Sequence, residues 1–238
     1  FYNYYFETGG DDGCSNLFCP SYSPAVTADP LSGETERYLT VGLNSGLDAS
    51  SFERPPLNLV VVLDASGSMS ASFSQYYYDR FGNRQTPDGD TTTPKIQVAR
   101  EALVALTEQL QPEDRLGVVL YSSSSAVAKP VRAVEGTDMD AIRGHIREDI
   151  QAGGGTNLDA GVSDATELLS EYRDAPAERE NRMILLTDAM PNLGETDDEG
   201  LRGRLAENAA DGLHTTFVGI GVDFNAELID EITAVRGA

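Results

Sequence analysis

Three short polar clusters hold the side chains of this sequence that could do chemistry. The cluster at 64–68 (DASGS) follows an apolar run, the one at 153–157 (GGGTN) leads into a helical pattern, and Thr187-Asp188 follows a second apolar run. Together they supply two carboxylates and three hydroxyls, from Asp64, Ser66, Ser68, Thr156 and Asp188. Mg²⁺ and Mn²⁺ prefer such hard oxygen donors and leave some positions to water. The clusters therefore predict a divalent-cation site.

Each of these residues also has a structural interpretation when it is considered alone. Asp64, Ser66 and Ser68 are residue types that stabilise turns. Thr156 is a residue type that caps a helix, and Asp188 is an ordinary polar residue at a strand end. Their occurrence together, in this order along the chain, favours the metal site over the structural interpretations.

The elements that must position these clusters alternate along the chain. Short apolar runs predict strands buried on both faces, and longer segments with helical periodicity predict helices between them. We expect strands at 57–63, 116–121, 126–134, 183–187 and 214–222, and helices at 94–111, 138–150, 158–173, 197–211 and 225–236. The fold class is α/β, with a Rossmann-like, doubly wound, mainly parallel sheet covered by helices on both faces. Ligands of such sheets bind at the carboxyl ends of the strands, where all three clusters are expected.

The three clusters resemble the metal-ion-dependent adhesion site of von Willebrand factor A domains. The matching pieces are Asp-x-Ser-x-Ser after an apolar strand, a distant Gly-Gly-Thr-Asn, and a later Thr-Asp at a strand end. The resemblance extends over Leu57–Ala238. The phrases ERYLTVGLNSG, RPPLNLVVVLDASGSM and LLTDAMPNLG are similar to those of bacterial and archaeal members that are secreted or anchored to a membrane.

This resemblance implies a role for each residue. The hydroxyls of Ser66, Ser68 and Thr156 would bind the metal directly, while Asp64 and Asp188 would hold it mostly through water. The sixth position would be offered to a Glu or Asp of a partner protein. The implied cation is Mg²⁺, with Mn²⁺ and Ca²⁺ as alternatives, and the implied function is metal-dependent adhesion or surface assembly without catalysis.

Two other functions compete with this interpretation. One is an intracellular assembly subunit that works with a ring ATPase, and the other is a Mg²⁺-dependent phosphatase-like enzyme. A dehalogenase-like phosphotransferase needs a second Asp where this sequence has Ser66, and the glycines at 153–155 lack the lysine of a phosphate-binding loop. His145 and His214, the only histidines, are not near a candidate nucleophile in sequence.

The chain is divided into an N-terminal annex at 1–56 and the von Willebrand factor A-like domain at 57–238. In the annex, residues 1–35 are aromatic-rich and are expected to be irregular, and 37–43 alternates like a strand. Cys14 and Cys19, the only cysteines, favour a local disulfide over two free thiols. A disulfide implies an oxidising compartment, so we expect an extracellular or cell-surface location.

Two features depart from the resemblance. An insertion at 69–94 separates the first metal cluster from the next helix, and it is interpreted either as an aromatic lid that shapes partner choice or as a mobile surface loop. The family also has one more strand and a final helix, expected after the point where this sequence stops. The strand at 214–222 would then be a sheet edge that needs cover, from 36–43, a second copy or a separate segment.

Charge limits the partners. The chain has 17 basic and 39 acidic residues, a net charge of −22, which disfavours binding to the phosphates of nucleic acid and to anionic lipid. No apolar run approaches the roughly 18 residues of a membrane span, so no direct membrane insertion of this segment is expected. All but two of the basic residues are arginine, and this composition is typical of salt-adapted proteins.

We expect the folded state to become more stable as NaCl rises from low to molar concentration. Compaction brings the acidic side chains together, and their repulsion is screened once the Debye length falls to about 3 Å. The measurement is the melting temperature across a NaCl series at constant pH. A melting temperature that stays flat or falls would contradict the salt-adaptation hypothesis.

Overall fold

The computed structural model of the chain describes residues 14, 16, 18–44, 46, 53–73, 77–78, 84–85, 93–173, 179–188, 198–221 and 234–235. It divides into two compact units, Phe1–Arg54 and Pro55–Ala238. Each unit has its own strands, and each is described separately below.

The first unit contains an antiparallel hairpin of β1 (Cys19–Ala28) and β2 (Thr35–Asn44). A disulfide joins Cys14 to Cys19, as the cysteine spacing predicts. The predicted strand at 37–43 is confirmed as part of β2. The expectation that residues 1–35 are irregular is wrong for 19–28, while residues 1–13 lie outside the described residues. Pro20 and Pro24 disfavour a strand in a sheet interior, but both strands of a two-stranded ribbon are edges, where proline is tolerated.

Cross-strand register gives the hairpin one apolar face. Tyr22 lies opposite Val41, and Pro24 lies opposite Leu39, so their side chains share a face. The large apolar side chains of this face are between 60% and 68% exposed: Tyr22, Val26, Leu39, Val41 and Leu43.

The second unit is an α/β domain, as predicted. Its main elements are β3 (Leu57–Asp64), α1 (Lys95–Glu108), β6 (Arg115–Tyr121), β7 (Ser125–Ala133), α2 (Met139–Glu148), α3 (Leu158–Ser170), β8 (Glu180–Thr187), α4 (Asp198–Ala210) and β9 (Leu213–Gly219). Every predicted element between 57 and 222 is present, with small shifts at its ends. The predicted helix at 225–236 lies outside the described residues except for Ala234 and Val235. Among the described helices, none is long and apolar enough to cross a bilayer.

The five strands form one sheet in the order β7-β6-β3-β8-β9. All neighbouring strands are parallel except β6 and β7, which are antiparallel. The central strand β3 is buried along nearly its whole length. Leu59, Val61 and Leu63 belong to the core under α1 and α2, while Val60 and Val62 belong to the core under α3 and α4. This double burial explains why the strand has an almost continuous apolar sequence.

The edge strand β7 has an irregular ladder with β6, and a lysine compensates for it. The register shifts on both sides of Val118, and Pro130 on β7 has no N–H to donate. Lys129 is only 8% exposed, and its Nζ donates to the backbone oxygen of Leu116 at 2.7 Å. Burial, with a smaller effect of Arg132, lowers the pKa of the Lys129 ammonium. Pro130 therefore lies on an edge strand of the sheet, where a residue without an N–H is tolerated.

The opposite edge of the sheet is β9. The segment at 36–43, which the sequence offers as one cover for this edge, pairs with β1 in the first unit, and the cover of the β9 edge stays a prediction. In the part of the chain that the structure describes, no strand pairs with the outer side of β9.

The insertion at 69–94 is closed at its base. Ser72 and Pro94 form an antiparallel bridge, and the N–H of Phe73 donates to the oxygen of Thr93 at 2.6 Å. Within it, β4 (Tyr77–Tyr78) pairs with β5 (Arg84–Gln85). The predicted aromatic lid depends on side chains outside the described residues.

Gly161 allows α3 to lie close to the sheet. A Cβ at this position would come within 2.9 Å of Cδ1 of Tyr121 and 3.0 Å of Cγ1 of Val62, two side chains that are almost fully buried. We expect Gly161→Ala to lower the free energy of unfolding by about 1–2 kcal/mol, because overpacking costs roughly 1–3 kcal/mol and the helix-propensity gain is at most about 1 kcal/mol.

The measurement is urea unfolding, and Gly144→Ala on α2 is the matched control because a Cβ there meets nothing within 4 Å. We expect the control variant to be neutral or slightly more stable than wild type. Equal effects of the two substitutions would show that the close approach of α3 does not limit stability.

Candidate metal centre

Strand register brings the first and third polar clusters together. Asp64, the last residue of β3, lies beside Tyr121 on β6, and Leu63 lies beside Leu186 on β8. Because these strands are parallel, Asp64, Tyr121 and Thr187 all lie at the carboxyl edge of the sheet. The convergence expected from the sequence is therefore present for these two clusters.

Backbone hydrogen bonds fix the glycine-rich loop against the first cluster. The N–H of Gly67 donates to the oxygen of Gly154 at 3.0 Å, and the N–H of Gly153 donates to the oxygen of Ala65 at 2.8 Å. Gly154 has a φ of +83°, a conformation that L side chains rarely adopt. A Cβ there would also lie 2.8 Å from Oγ of Ser123.

The loop after β6 supports the glycine loop from its other side. The N–H of Gly155 donates to Oγ of Ser123 at 2.8 Å, and the N–H of Asn157 donates to the oxygen of Ser122 at 2.7 Å. These bonds bracket Thr156, which is 2% exposed. Ser122 and Ser123 were not identified from the sequence, where they are part of a featureless serine run.

Asp64 is held by three donor groups. Its Oδ1 accepts the N–H of Ser66 at 2.8 Å, and its Oδ2 accepts the hydroxyl of Thr187 at 2.8 Å. The phenol oxygen of Tyr121 lies 3.0 Å from the same Oδ2 and 2.9 Å from Oγ1 of Thr187. The carboxylate is therefore oriented from β6 and β8 as well as from its own loop.

Burial dominates the electrostatics of this group of side chains. Desolvation raises the pKa of the Asp64 carboxyl and the charge of Asp188 adds to the rise, while hydrogen bonds from Ser66 and Thr187 act in the opposite direction. Burial, followed by the charge of Asp64, raises the pKa of the Tyr121 phenol well above its ordinary value. A divalent cation would favour the ionised carboxylate and reverse this tendency.

Two of the three predicted hydroxyl ligands lie close to each other. Oγ of Ser66 lies 3.0 Å from Oγ of Ser68; Ser66 is fully buried and Ser68 is half-buried. The capping of α3 falls to Asn157, whose side chain accepts the N–H of Ala160 at 3.1 Å, and not to Thr156. Asn157 therefore takes the helix-capping role that was considered for Thr156.

The two oxygens of Asp188 have different environments. Oδ2 lies 3.2 Å from Nζ of Lys95, and the two side chains are 0% and 2% exposed, respectively. Oδ1 is buried and has no hydrogen-bond partner among the described residues. A buried carboxylate oxygen without a partner is costly, and a cation or its bound water would satisfy it.

Lys95 was also not identified from the sequence. Its rarity could have drawn attention to it, since the chain has only two lysines. The insertion at 69–94 separates Lys95 from the first cluster in sequence, so nothing there indicates that the two are close. Its ammonium offsets the repulsion expected between Asp64 and Asp188. Tyr121 had a clearer signal, because it ends an apolar strand as Asp64 does.

The residues that could hold a divalent cation are oxygen donors: Asp64, Ser66, Ser68, Thr156 and Asp188. Among the described residues, no group of three or more His, Cys, Asp or Glu side chains is placed to hold a metal. A site at this edge therefore depends on hydroxyl oxygens together with the two carboxylates, a donor set that suits Mg²⁺.

Known proteins similar to this chain include vertebrate and bacterial relatives. Mouse inter-alpha-trypsin inhibitor heavy chain 4 is 31% identical over 186 residues, which cover 76% of this chain and 17% of the relative. The uncharacterised protein YfbK of Escherichia coli is 26% identical over 174 residues, covering 73% of this chain and 26% of the relative. The chain spans about a quarter or less of the length of these relatives.

Solved structures share the fold. A von Willebrand factor type A protein of Catenulispora acidiphila has a TM-score of 0.54 at 15% identity, covering 94% of this chain and 45% of that chain. The manganese-loaded TRAP protein of Plasmodium vivax has a TM-score of 0.53 at 18% identity, covering 76% of this chain and 64% of that chain.

The family comparison matches the part of the chain that contains the polar clusters. The family model of the von Willebrand factor type A domain matches residues 59–191, which is more than half of the chain. This range begins in β3 and ends just after Asp188, so it contains all three polar clusters. The chain belongs to the von Willebrand factor type A domain family.

Proposed function

We propose that this chain is a protein-interaction domain that binds an acidic side chain of a partner through a divalent cation. The proposed metal site consists of Asp64, Ser66, Ser68, Thr156 and Asp188. The observation that carries the proposal is the buried Oδ1 of Asp188, which has no hydrogen-bond partner among the described residues and follows β8 at the carboxyl edge of the sheet, where β3 ends at Asp64.

The chain's own residues have distinct roles in this proposal. The hydroxyls of Ser66, Ser68 and Thr156 bind the ion directly, and Asp64 and Asp188 hold it mostly through water. The bonds from Tyr121 and Thr187 keep Asp64 oriented, as partners of metal-site carboxylates commonly do. When bound, the cation supplies a positively charged position for the partner's Glu or Asp.

Mg²⁺ is the proposed cation, with Mn²⁺ and Ca²⁺ as alternatives. A site with two carboxylates and several hydroxyls leaves positions for water, which Mg²⁺ retains more readily than Ca²⁺. The family commonly binds a divalent metal, and one solved protein of similar fold is described as manganese-loaded.

Binding without catalysis is the proposed activity. The hydroxyls of Ser66 and Ser68 lie within hydrogen-bond distance of each other, and in the part of the chain that the structure describes neither has a histidine as a hydrogen-bond partner. His145 lies on α2, where its ring contacts Asp149 at 2.6 Å. His214 lies near the amino end of β9, the end of the strand away from the metal clusters.

An extracellular or cell-surface location is part of the proposal. The disulfide between Cys14 and Cys19 supports it, because structural disulfides persist in oxidising compartments. The location separates the adhesion hypothesis from that of an intracellular assembly subunit, which would keep both thiols reduced.

We expect Thr156→Ala to weaken Mg²⁺ binding by about tenfold or more, because it removes one of roughly six ligands. The fold should be retained, since the loop around Thr156 is held by the backbone N–H groups of Gly155 and Asn157. Isothermal titration calorimetry with MgCl₂ measures the affinity, and melting in EDTA checks the fold.

Thr137→Ala is the matched control, because Thr137 is a half-buried threonine away from the metal clusters, and its hydroxyl donates to the oxygen of Ala133 at the end of β7. It should leave Mg²⁺ affinity unchanged. If wild type binds no divalent cation, or if both variants weaken binding equally, the proposed metal site is wrong.

We expect Asp64→Ala to abolish metal-dependent capture of a partner protein. The assay passes native cell-surface extract over immobilised domain in MgCl₂ and elutes with EDTA. Amidation of carboxyl groups in the extract with carbodiimide should also prevent capture by wild type, because the partner's carboxylate is then lost. Capture that survives EDTA, Asp64→Ala and amidation would refute the adhesion hypothesis.

A further inference from the structure

Lys95 occupies a position that helix stability does not explain. It is the first residue of α1, and the first turn of that helix contains no acidic residue. A positive charge at a helix amino terminus opposes the helix dipole, and burial of an ammonium is costly without a paired charge. Yet Lys95 is only 2% exposed.

The geometry directs this charge to the metal site. The N–H of Lys95 donates to the oxygen of Ala71 at 2.9 Å, which fixes the start of α1 against the chain just after the first metal cluster. Its Nζ lies 3.2 Å from Oδ2 of Asp188. The other oxygen of Asp188, Oδ1, is the one without a hydrogen-bond partner among the described residues.

The two oxygens of Asp188 thus divide between two positive charges. Lys95 takes Oδ2, and Oδ1 stays available for the cation or its water. The contact between Lys95 and Oδ2 can therefore persist when the cation binds. The charge of Lys95 is then present in the metal-free site and in the metal-bound site.

The charge of the site follows by addition. With both carboxyl groups ionised, Asp64, Asp188 and Lys95 together carry a charge of −1 before metal binding and +1 with a divalent cation. Without Lys95, the same sums are −2 and 0. A nearby positive charge in a buried crevice weakens cation binding, and a net positive loaded site attracts an anionic ligand.

We propose that Lys95 sets the charge of the metal site: it lowers the site's affinity for divalent cations and leaves the loaded site net positive for a partner's carboxylate. This inference rests on the proposed function, because it requires that the site binds a cation. A purely structural Lys95 would have the opposite effect, since its loss would disorder Asp188 and weaken cation binding.

The test replaces Lys95 in three ways. Lys95→Met removes the charge, Lys95→Gln removes the charge and keeps a hydrogen-bond donor, and Lys95→Arg keeps the charge. Lys129→Met is the matched control, because Lys129 is the other lysine of the chain, is also buried, and donates to backbone oxygens of Leu116 and Pro130.

Calorimetric titration with MgCl₂ at constant ionic strength gives the affinity of each variant. We expect both neutral variants to bind Mg²⁺ at least about tenfold more tightly than wild type, as removal of a unit charge from a partly dry site implies. Lys95→Arg and Lys129→Met should stay within about threefold of wild type. MgCl₂ should also raise the melting temperature of the neutral variants more than that of wild type.

Each contrary result has a separate meaning. If wild type binds no divalent cation, the proposed function fails. If wild type binds Mg²⁺ and the neutral variants bind it equally or more weakly, the role of Lys95 fails while the proposed function stands. If neither neutral variant folds even in excess MgCl₂, Lys95 is a folding residue and the inference is overturned.

Discussion

The register of β3 between its two parallel neighbours is the constraint on which the rest of the second unit depends. Asp64 is paired with Tyr121, and Thr187 follows the pair of Leu63 with Leu186. A shift of one residue would turn each side chain to the opposite face of the sheet, so the oxygens of Asp64, Tyr121 and Thr187 could no longer meet. The same shift would exchange the two cores, because alternate residues of β3 belong to different ones. Core packing and the geometry of the polar edge are therefore fixed together.

Buried charge at this edge is stabilised by several weak contributions instead of one strong one. Asp64 has hydrogen bonds from three directions, whereas Asp188, among the residues that the structure describes, has an ion pair on one oxygen and no partner on the other. The first arrangement orients a carboxylate, and the second leaves it incompletely satisfied. A buried polar group with one unpaired atom is a frequent property of binding sites, because the ligand completes the hydrogen bonding.

Much of the second unit was predictable because its strands and helices have strong, regular apolar patterns. The candidate ligands could be selected because each follows a strand or precedes a helix, so that the neighbouring sequence alone indicates a position at the edge of the sheet. They are Asp64, Ser66, Ser68, Thr156 and Asp188. Their role as metal ligands stays a prediction.

Other features could not be predicted because they depend on contacts distant in sequence. Lys95 reaches Asp188 across 93 positions, and nothing near either residue indicates the pair. The strand β1 was missed because Pro20 and Pro24 obscure its alternation, and only its pairing with β2 makes those prolines tolerable. Ser122 and Ser123 hold the glycine-rich loop through hydrogen bonds, and the apolar periodicity of a sequence does not indicate contacts between loops.

The burial of both lysines has a chemical consequence for the exterior of the molecule. Lys95 and Lys129 are 2% and 8% exposed, and they are the only lysines in the chain, so the surface has no lysine amine. Its side-chain cations are guanidinium groups, which stay protonated at any ordinary pH and resist acylation. Reagents such as succinimidyl esters would leave the native exterior largely unmodified and would react with a lysine only when the domain opens. Acylation of the Lys95 amine would thus show that the polar edge of the sheet has opened.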